Sequence, residues 1–105
     1  IKDGTRDIYE IGKYVFNSRL RTLTLGDRER QLSPKEGQLL EMLAISPNTL
    51  VSREATLRKI WGSDDYFTAR SMDVYVTKLR KYLSDDPNIL LKNIHGSGFQ
   101  LVILE

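Results

Sequence analysis

Apolar residues recur along the chain with two different periods, and the switch between them divides it. Between residues 8 and 32 short β-prone runs alternate with turn signals: IYEI, KYVF, the turn Asn17-Ser18, RTLTL, the turn Gly26-Asp27 and RQL. Tyr14 with Phe16, and Leu23 with Leu25, stand two residues apart, so each pair shares one face of a strand. Three or four short antiparallel strands are predicted, with one face that needs a helical cover. At Ser33 the period becomes helical. Ser33-Pro34-Lys35-Glu36 supplies an N-cap serine, a proline at N1 and a glutamate at N3 that reaches back to complete a capping box. Leu39, Leu40, Met42 and Leu43 form the apolar stripe up to Ile45, and Ser46-Pro47-Asn48 ends the helix. Gly37 inside it costs about 1 kcal/mol relative to Ala and points to a close neighbour that the sequence does not name.

Beyond the short extended piece Leu50-Val51, Ser52 caps a second helix whose stripe is Leu57, Ile60 and Trp61 and whose end is Gly62. A loop over 62–68 leads to the third helix, 69–83, ARSMDVYVTKLRKYL, capped by Thr68 or Ser71 and stopped at Ser84-Asp85-Asp86-Pro87. Met72, Val76, Leu79 and Leu83 form its apolar face, with Tyr75 and Tyr82 on the shoulder. Two β-rich runs, ILLKNI and FQLVIL, then flank His95-Gly96-Ser97-Gly98 as a hairpin. Its two glycines permit positive φ and let the turn backbone approach a ligand closely.

The polar side of the third helix carries the chemistry. Arg70, Thr77 and Lys81 cluster there around Val74, with Asp73 and Arg80 at one margin and Lys78 and Ser71 at the other. Four cations face one acid on this helix, whereas the whole chain is only +2, so the positive charge is local. A solvated basic face is the ordinary reading of such a stripe. An exposed Val in its middle does nothing for solubility, yet a small apolar side chain suits a thymine methyl in the major groove.

Composition sets bounds. A chain of 105 residues with 40% hydrophobic content suits one domain with a modest core. A pI near 9.0 is compatible with a polyanionic partner without requiring one. With no cysteine, disulfides, thiol catalysis and cysteine zinc sites are excluded, and a reducing, cytoplasmic setting fits. No apolar run reaches the roughly 18 residues of a membrane span, and no signal peptide opens the chain. The polar opening IKDGTRD, beginning at Ile1, reads as a linker remnant over 1–7, with the folded domain at 8–105 and a further domain expected upstream.

Other candidate sites are weaker. Asp64 and Asp65 read as turn and helix-start residues rather than as a metal site or acid–base pair. Tyr66 and Phe67 in the same loop would, if exposed, be a protein contact point. Trp61, the only tryptophan, either seals the helix end as a core aromatic or donates its indole N–H to a phosphate, and the two roles coexist. His95 is the only histidine and lacks the companions a metal or catalytic site needs, so a turn-tip contact with phosphate or groove is the better reading. Gly-Ser-Gly joins two strands and opens no helix, so it is no phosphate loop. No metal and no cofactor is expected, and no nucleophile–base pair supports an enzyme.

Helix, short strand, helix, loop, basic helix and terminal hairpin spell a winged helix-turn-helix, an α+β fold with an N-terminal antiparallel β-sheet, three helices and a C-terminal β-hairpin wing. The segments LSPKEGQLLEML, VSREATLRKIWG, RSMDVYVTKLRKYL and IHGSGFQL, in this order, resemble the C-terminal effector domain of OmpR/PhoB-type response regulators, the transcription factors of bacterial two-component systems. The resemblance covers the chain from about residue 8. It implies sequence-specific binding of double-stranded DNA, with recognition helix 69–83 in the major groove and wing 94–99 at the minor groove. It also implies a phosphorylatable receiver domain upstream with a cognate histidine kinase, and a tandem homodimer on direct-repeat half-sites.

By the same resemblance Arg70, Tyr75 and Thr77 contact the DNA backbone, Val74, Lys78 and Arg80 face bases, and Trp61 touches a phosphate. The helical wheel agrees for Arg70, Val74, Thr77 and Lys78, but favours Lys81 over Arg80. Loop 62–68, with Asp64, Asp65, Tyr66 and Phe67, corresponds to the segment where related activators meet RNA polymerase. In the wing, His95, Ser97 and Phe99 are the candidate contacts. His95 stands where the family commonly has Arg, so the permanent cation of the family wing is absent there, and Phe99 stands where it often has Tyr. Lys78 replaces a frequent Arg and brings a point charge instead of a bidentate fork. Two other readings stay open: a winged-helix protein-interaction module, and a nonspecific nucleic-acid binder whose affinity follows salt alone.

Overall fold

Residues 7–104 are described in a computed structural model of the chain. The expected linker 1–7 lies outside the described residues except for Asp7, as does the terminal Glu105. Four strands, β1 (Ile8–Ile11), β2 (Tyr14–Asn17), β3 (Thr22–Leu25) and β4 (Arg28–Gln31), form an antiparallel meander in sequence order. The register sets Tyr14 opposite Leu25 and Phe16 opposite Leu23, so the period-2 residues share one face. That face buries Tyr9, Ile11, Tyr14, Phe16 and Leu23, while Leu25 is only partly covered.

Helix α1 (Pro34–Ile45) starts on the predicted capping box. Ser33 Oγ accepts the Glu36 N–H at 3.3 Å, and Glu36 Oε1 accepts the Ser33 N–H at 2.8 Å. The other Glu36 oxygen accepts the Tyr82 hydroxyl at 3.1 Å, so the box also fastens α1 to the third helix. The neighbour that Gly37 makes room for is Arg21. A Cβ at Gly37 would stand 3.0 Å from Arg21 Cγ and 3.1 Å from its Cδ.

After β5 (Leu50–Ser52), helix α2 (Arg53–Thr56) is capped by Ser52 and widens into a π-helical stretch, Leu57–Trp61, that ends on left-handed Gly62 at φ +76°. Helix α3 runs from Tyr66 to Tyr82. It therefore begins three residues before the predicted start at Ala69, and neither Thr68 nor Ser71 caps it. Asp65 is the cap: its carboxylate accepts the Thr68 N–H at 2.9 Å, a charge-assisted bond that a hydroxyl cap does not match. The connecting loop shrinks accordingly, and Tyr66 and Phe67 become the first turn of the helix.

Strands β6 (Ile89–Ile94) and β7 (Gly98–Ile103) form the hairpin, and β5 pairs with the other edge of β7 to give a second sheet ordered β5-β7-β6. Ile89, Leu91, Phe99 and Leu101 point inward from it and join Leu39, Leu40, Leu43, Met72, Val76 and Leu79 in the core. Both sheets thus pack on the helices, leaving the polar side of α3 and the hairpin turn outside. Buried Asp86 ties the two ends of the molecule together by accepting N–H groups of Lys13, at 2.8 Å, and Asn88, at 2.9 Å.

Candidate nucleic-acid interface

One side of α3 is sealed and the other is open. Met72, Val76 and Leu79 are buried, while Arg70, Thr77, Lys78, Arg80 and Lys81 are exposed around Val74, which keeps 55% of its surface accessible. A shallow depression on this side is lined by Arg70, Asp73, Val74, Thr77 and Lys78. Carrying a bare valine among charges costs about 25 cal/mol per Å² of apolar area left in water, and the fold does nothing to cover it.

The cations do not all point outward freely. Lys78 Nζ lies 5.3 Å from the centre of the Tyr75 ring, within cation–π range. Arg70 is 3.3 Å from the Tyr66 hydroxyl. Arg80 turns toward the wing, its Nε donating to the Leu91 carbonyl of β6 at 3.1 Å, so one of its donors is committed to the fold. Lys81, favoured by the wheel, is exposed. Thr77 donates its hydroxyl to the Asp73 carbonyl at 3.0 Å and keeps its lone pairs free to accept.

Trp61 is half-buried, packed on Tyr75 and 5.7 Å from Lys35 Nζ, so the packing role and an exposed edge are both present. In the wing turn His95, Gly96 and Ser97 are exposed. Phe99 is not: it is fully buried in β7, so its ring belongs to the core and offers nothing to a groove. The phenyl ring has no polar edge to bring outward, and strand alternation turns it inward. The close backbone approach expected of the turn glycines is likewise internal at Gly98, where a Cβ would run into the Val51 carbonyl of β5.

Tyr66 and Phe67 are 66% and 78% exposed and meet edge to face, with ring centres 5.5 Å apart. Of the two neighbouring acids, Asp65 is engaged in its cap, where the Thr68 N–H and the Ser63 hydroxyl hold its carboxyl below the usual carboxylate range. Asp64 pairs with Arg58 at 3.3 Å. The residue that sequence reasoning missed is Arg53. Its guanidinium grips Asp73 on α3 with both arms, and only the fold brings together two residues 20 positions apart. Among the described residues no cluster of three or more His, Asp or Glu is placed to hold a metal, and no helix is long and apolar enough to cross a membrane.

Known proteins place this geometry. The sequence profile described as "Transcriptional regulatory protein, C terminal" matches residues 27–101. The chain is 44% identical over 104 residues to the transcriptional regulatory protein RprY of Bacteroides fragilis, spanning 99% of this chain and 44% of that protein. It is 41% identical over 76 residues to the phosphate regulon regulatory protein PhoB of Rhizobium meliloti, spanning 70% of this chain and 33% of that one. The chain thus spans less than half the length of these curated relatives. Among solved structures, the response regulator DrrB of Thermotoga maritima, an OmpR/PhoB homologue, superposes with a TM-score of 0.77 at 27% identity over 93% of this chain and 45% of that one. The DNA-binding domain of CpxR from E. coli has the same fold, with a TM-score of 0.83 at 22% identity over 95% of this chain and all of that one. The profile over most of the chain and the shared winged helix-turn-helix show that the chain belongs to the C-terminal domain family of transcriptional regulatory proteins, as an effector domain of the OmpR/PhoB type.

Proposed function

We propose that the chain binds double-stranded DNA sequence-specifically and regulates transcription, with α3 in the major groove and the turn 94–98 at the minor groove. The observation that carries this is the open side of α3, where exposed Val74 sits among Arg70, Thr77, Lys78 and Lys81 over a fully packed opposite side. A helix with that division presents a methyl-sized apolar contact together with hydrogen-bond donors, which is what the base edges of the major groove distinguish. Phosphate contacts are assigned to Arg70, Tyr75, Thr77, Trp61 and the wing residues His95 and Ser97, and base contacts to Val74, Lys78 and Lys81; Arg80, whose Nε is given to the Leu91 carbonyl, leaves the base-facing set for a backbone contact.

The wider setting belongs to the same proposal. The domain would serve as the output of a cytoplasmic two-component response regulator whose upstream receiver is phosphorylated by a cognate histidine kinase. Two copies would bind direct-repeat half-sites. The exposed pair Tyr66 and Phe67, with Asp64 and Asp65 beside it, would meet RNA polymerase. Catalysis has no part in this reading.

Selection of bound sequences from a random DNA pool tests it. A defined, repeated motif is the expected result. Equal binding of all sequences with a steep salt slope would replace it with nonspecific binding, and no DNA binding at all would favour a protein-interaction module.

A further inference from the structure

Arg53, the first residue of α2, touches three parts of the interface at once. Its Nη1 and Nη2 donate to the two carboxylate oxygens of Asp73 on α3 at 2.8 and 3.1 Å. Its backbone N–H donates to the Ser97 carbonyl in the wing turn at 3.0 Å. Its guanidinium carbon stands 5.8 Å from the centre of the Phe99 ring in β7. A notch between α3 and the wing is lined by Arg53, Asp73, Asn93, His95 and Gly96.

Asp73 is out of place on electrostatic grounds. It is an exposed acid on the side of α3 that otherwise carries cations and faces a polyanion, where a carboxylate opposes binding. Its two oxygens are engaged by the arginine fork, a planar pairing that fixes direction as well as distance. The same arginine holds the wing turn through its main chain, so one residue bridges the exposed side of α3 and the tip of the wing.

We propose that Asp73 is a positioning residue that, through Arg53, fixes the wing turn relative to the recognition helix, so that major-groove and minor-groove contacts form as one pre-arranged unit. The proposal rests on the DNA-binding reading above. Pre-arrangement raises affinity by removing the ordering that two independently moving parts would undergo on binding.

The test uses a sequence selected by the unsubstituted chain and compares affinities in two backgrounds, unsubstituted and Asp73→Asn. Asp73→Asn should weaken binding by about two- to fivefold, the span open to an exposed ion pair, although it removes a negative charge from the DNA-facing side. Asp73→Glu should recover part of the loss. Lys78→Ala on the helix and His95→Glu on the wing should together cost less than the product of their separate losses in the unsubstituted chain, and should multiply independently in Asp73→Asn. Because this coupling is a ratio within one background, a change in fold stability alone does not produce it. Binding by Asp73→Asn that is as tight or tighter overturns the proposal, as does equal coupling in both backgrounds or a His95→Glu change without effect. If the unsubstituted chain selects no sequence, the DNA-binding reading falls, and this inference with it.

Discussion

Trp61 and Tyr75 lie with ring centres 5.7 Å apart and planes inclined by 51°, joining the π-helical end of α2 to the shoulder of the recognition helix. Lys35 approaches the indole to 5.7 Å and Lys78 approaches the phenol to 5.3 Å. Two aromatic rings thus link three helices at the edge of the proposed interface. Removing the half-buried indole in Trp61→Ala should lower stability by about 1–2 kcal/mol, below the range for a fully buried ring. Trp61→Phe should keep most of that stability. If the indole N–H also reaches a phosphate, Trp61→Phe weakens binding to all DNA sequences alike, and unchanged affinity would leave Trp61 a packing residue only.

Lys78 and Arg80 should behave differently although both are exposed cations on α3. Lys78→Ala is expected to cost about 1–3 kcal/mol on the selected sequence and to change which bases are preferred. Arg80 already donates to the Leu91 carbonyl, so Arg80→Ala should give a smaller loss, spread evenly over sequences. Binding curves on selected and scrambled DNA separate the two patterns. A changed base preference in Arg80→Ala would return it to the base-reading set.

Phe67→Ser should leave DNA affinity unchanged and lower activation in a reporter assay, because the ring is exposed on the first turn of α3 and outside its buried stripe. Tyr66 is a less clean probe, since its hydroxyl lies beside Arg70. Collapse of affinity in Phe67→Ser would remove the polymerase reading.

Asp86 accepts N–H groups of Asn88 and Lys13, and these bonds hold its carboxyl below the usual carboxylate range. A carboxyl with a depressed folded value contributes its full stability above the unfolded value of about 3.9 and loses it as pH falls through the lower folded value. The melting temperature should therefore fall below about pH 4. In Asp86→Asn it should start lower at neutral pH and fall less steeply in acid. Parallel profiles for the two proteins would show that Asp86 contributes no pH-dependent stability.

His95→Arg places a permanent cation at the exposed wing tip. If the tip meets the DNA backbone, the log–log salt dependence should steepen by about 0.9, the counterion release of one added phosphate contact. An unchanged slope on the same DNA would confine His95 to shaping the turn.

Much of this molecule was determined by the sequence alone, wherever the cause lies within a few residues along the chain. The capping box of Ser33 and Glu36 spans three positions, and the pairing of Tyr14 and Phe16 spans two, so hydrogen-bond reach and strand alternation decide both before any tertiary contact forms. The apolar stripe of α3 was legible for the same reason. Its start was not, because hydroxyl and carboxylate caps compete locally, and Asp65 wins with a charged acceptor. Tertiary structure alone decided the rest. Arg21 fills the space beside Gly37, Arg53 reaches Asp73 across the helix-turn-helix, and the Tyr82 hydroxyl meets Glu36 from 46 residues away. Phe99 reads as a wing residue by its place in the chain, but packing turns it into the core. Such pairings depend on how separately formed helices and strands dock, a global solution of packing and charge that no local period encodes.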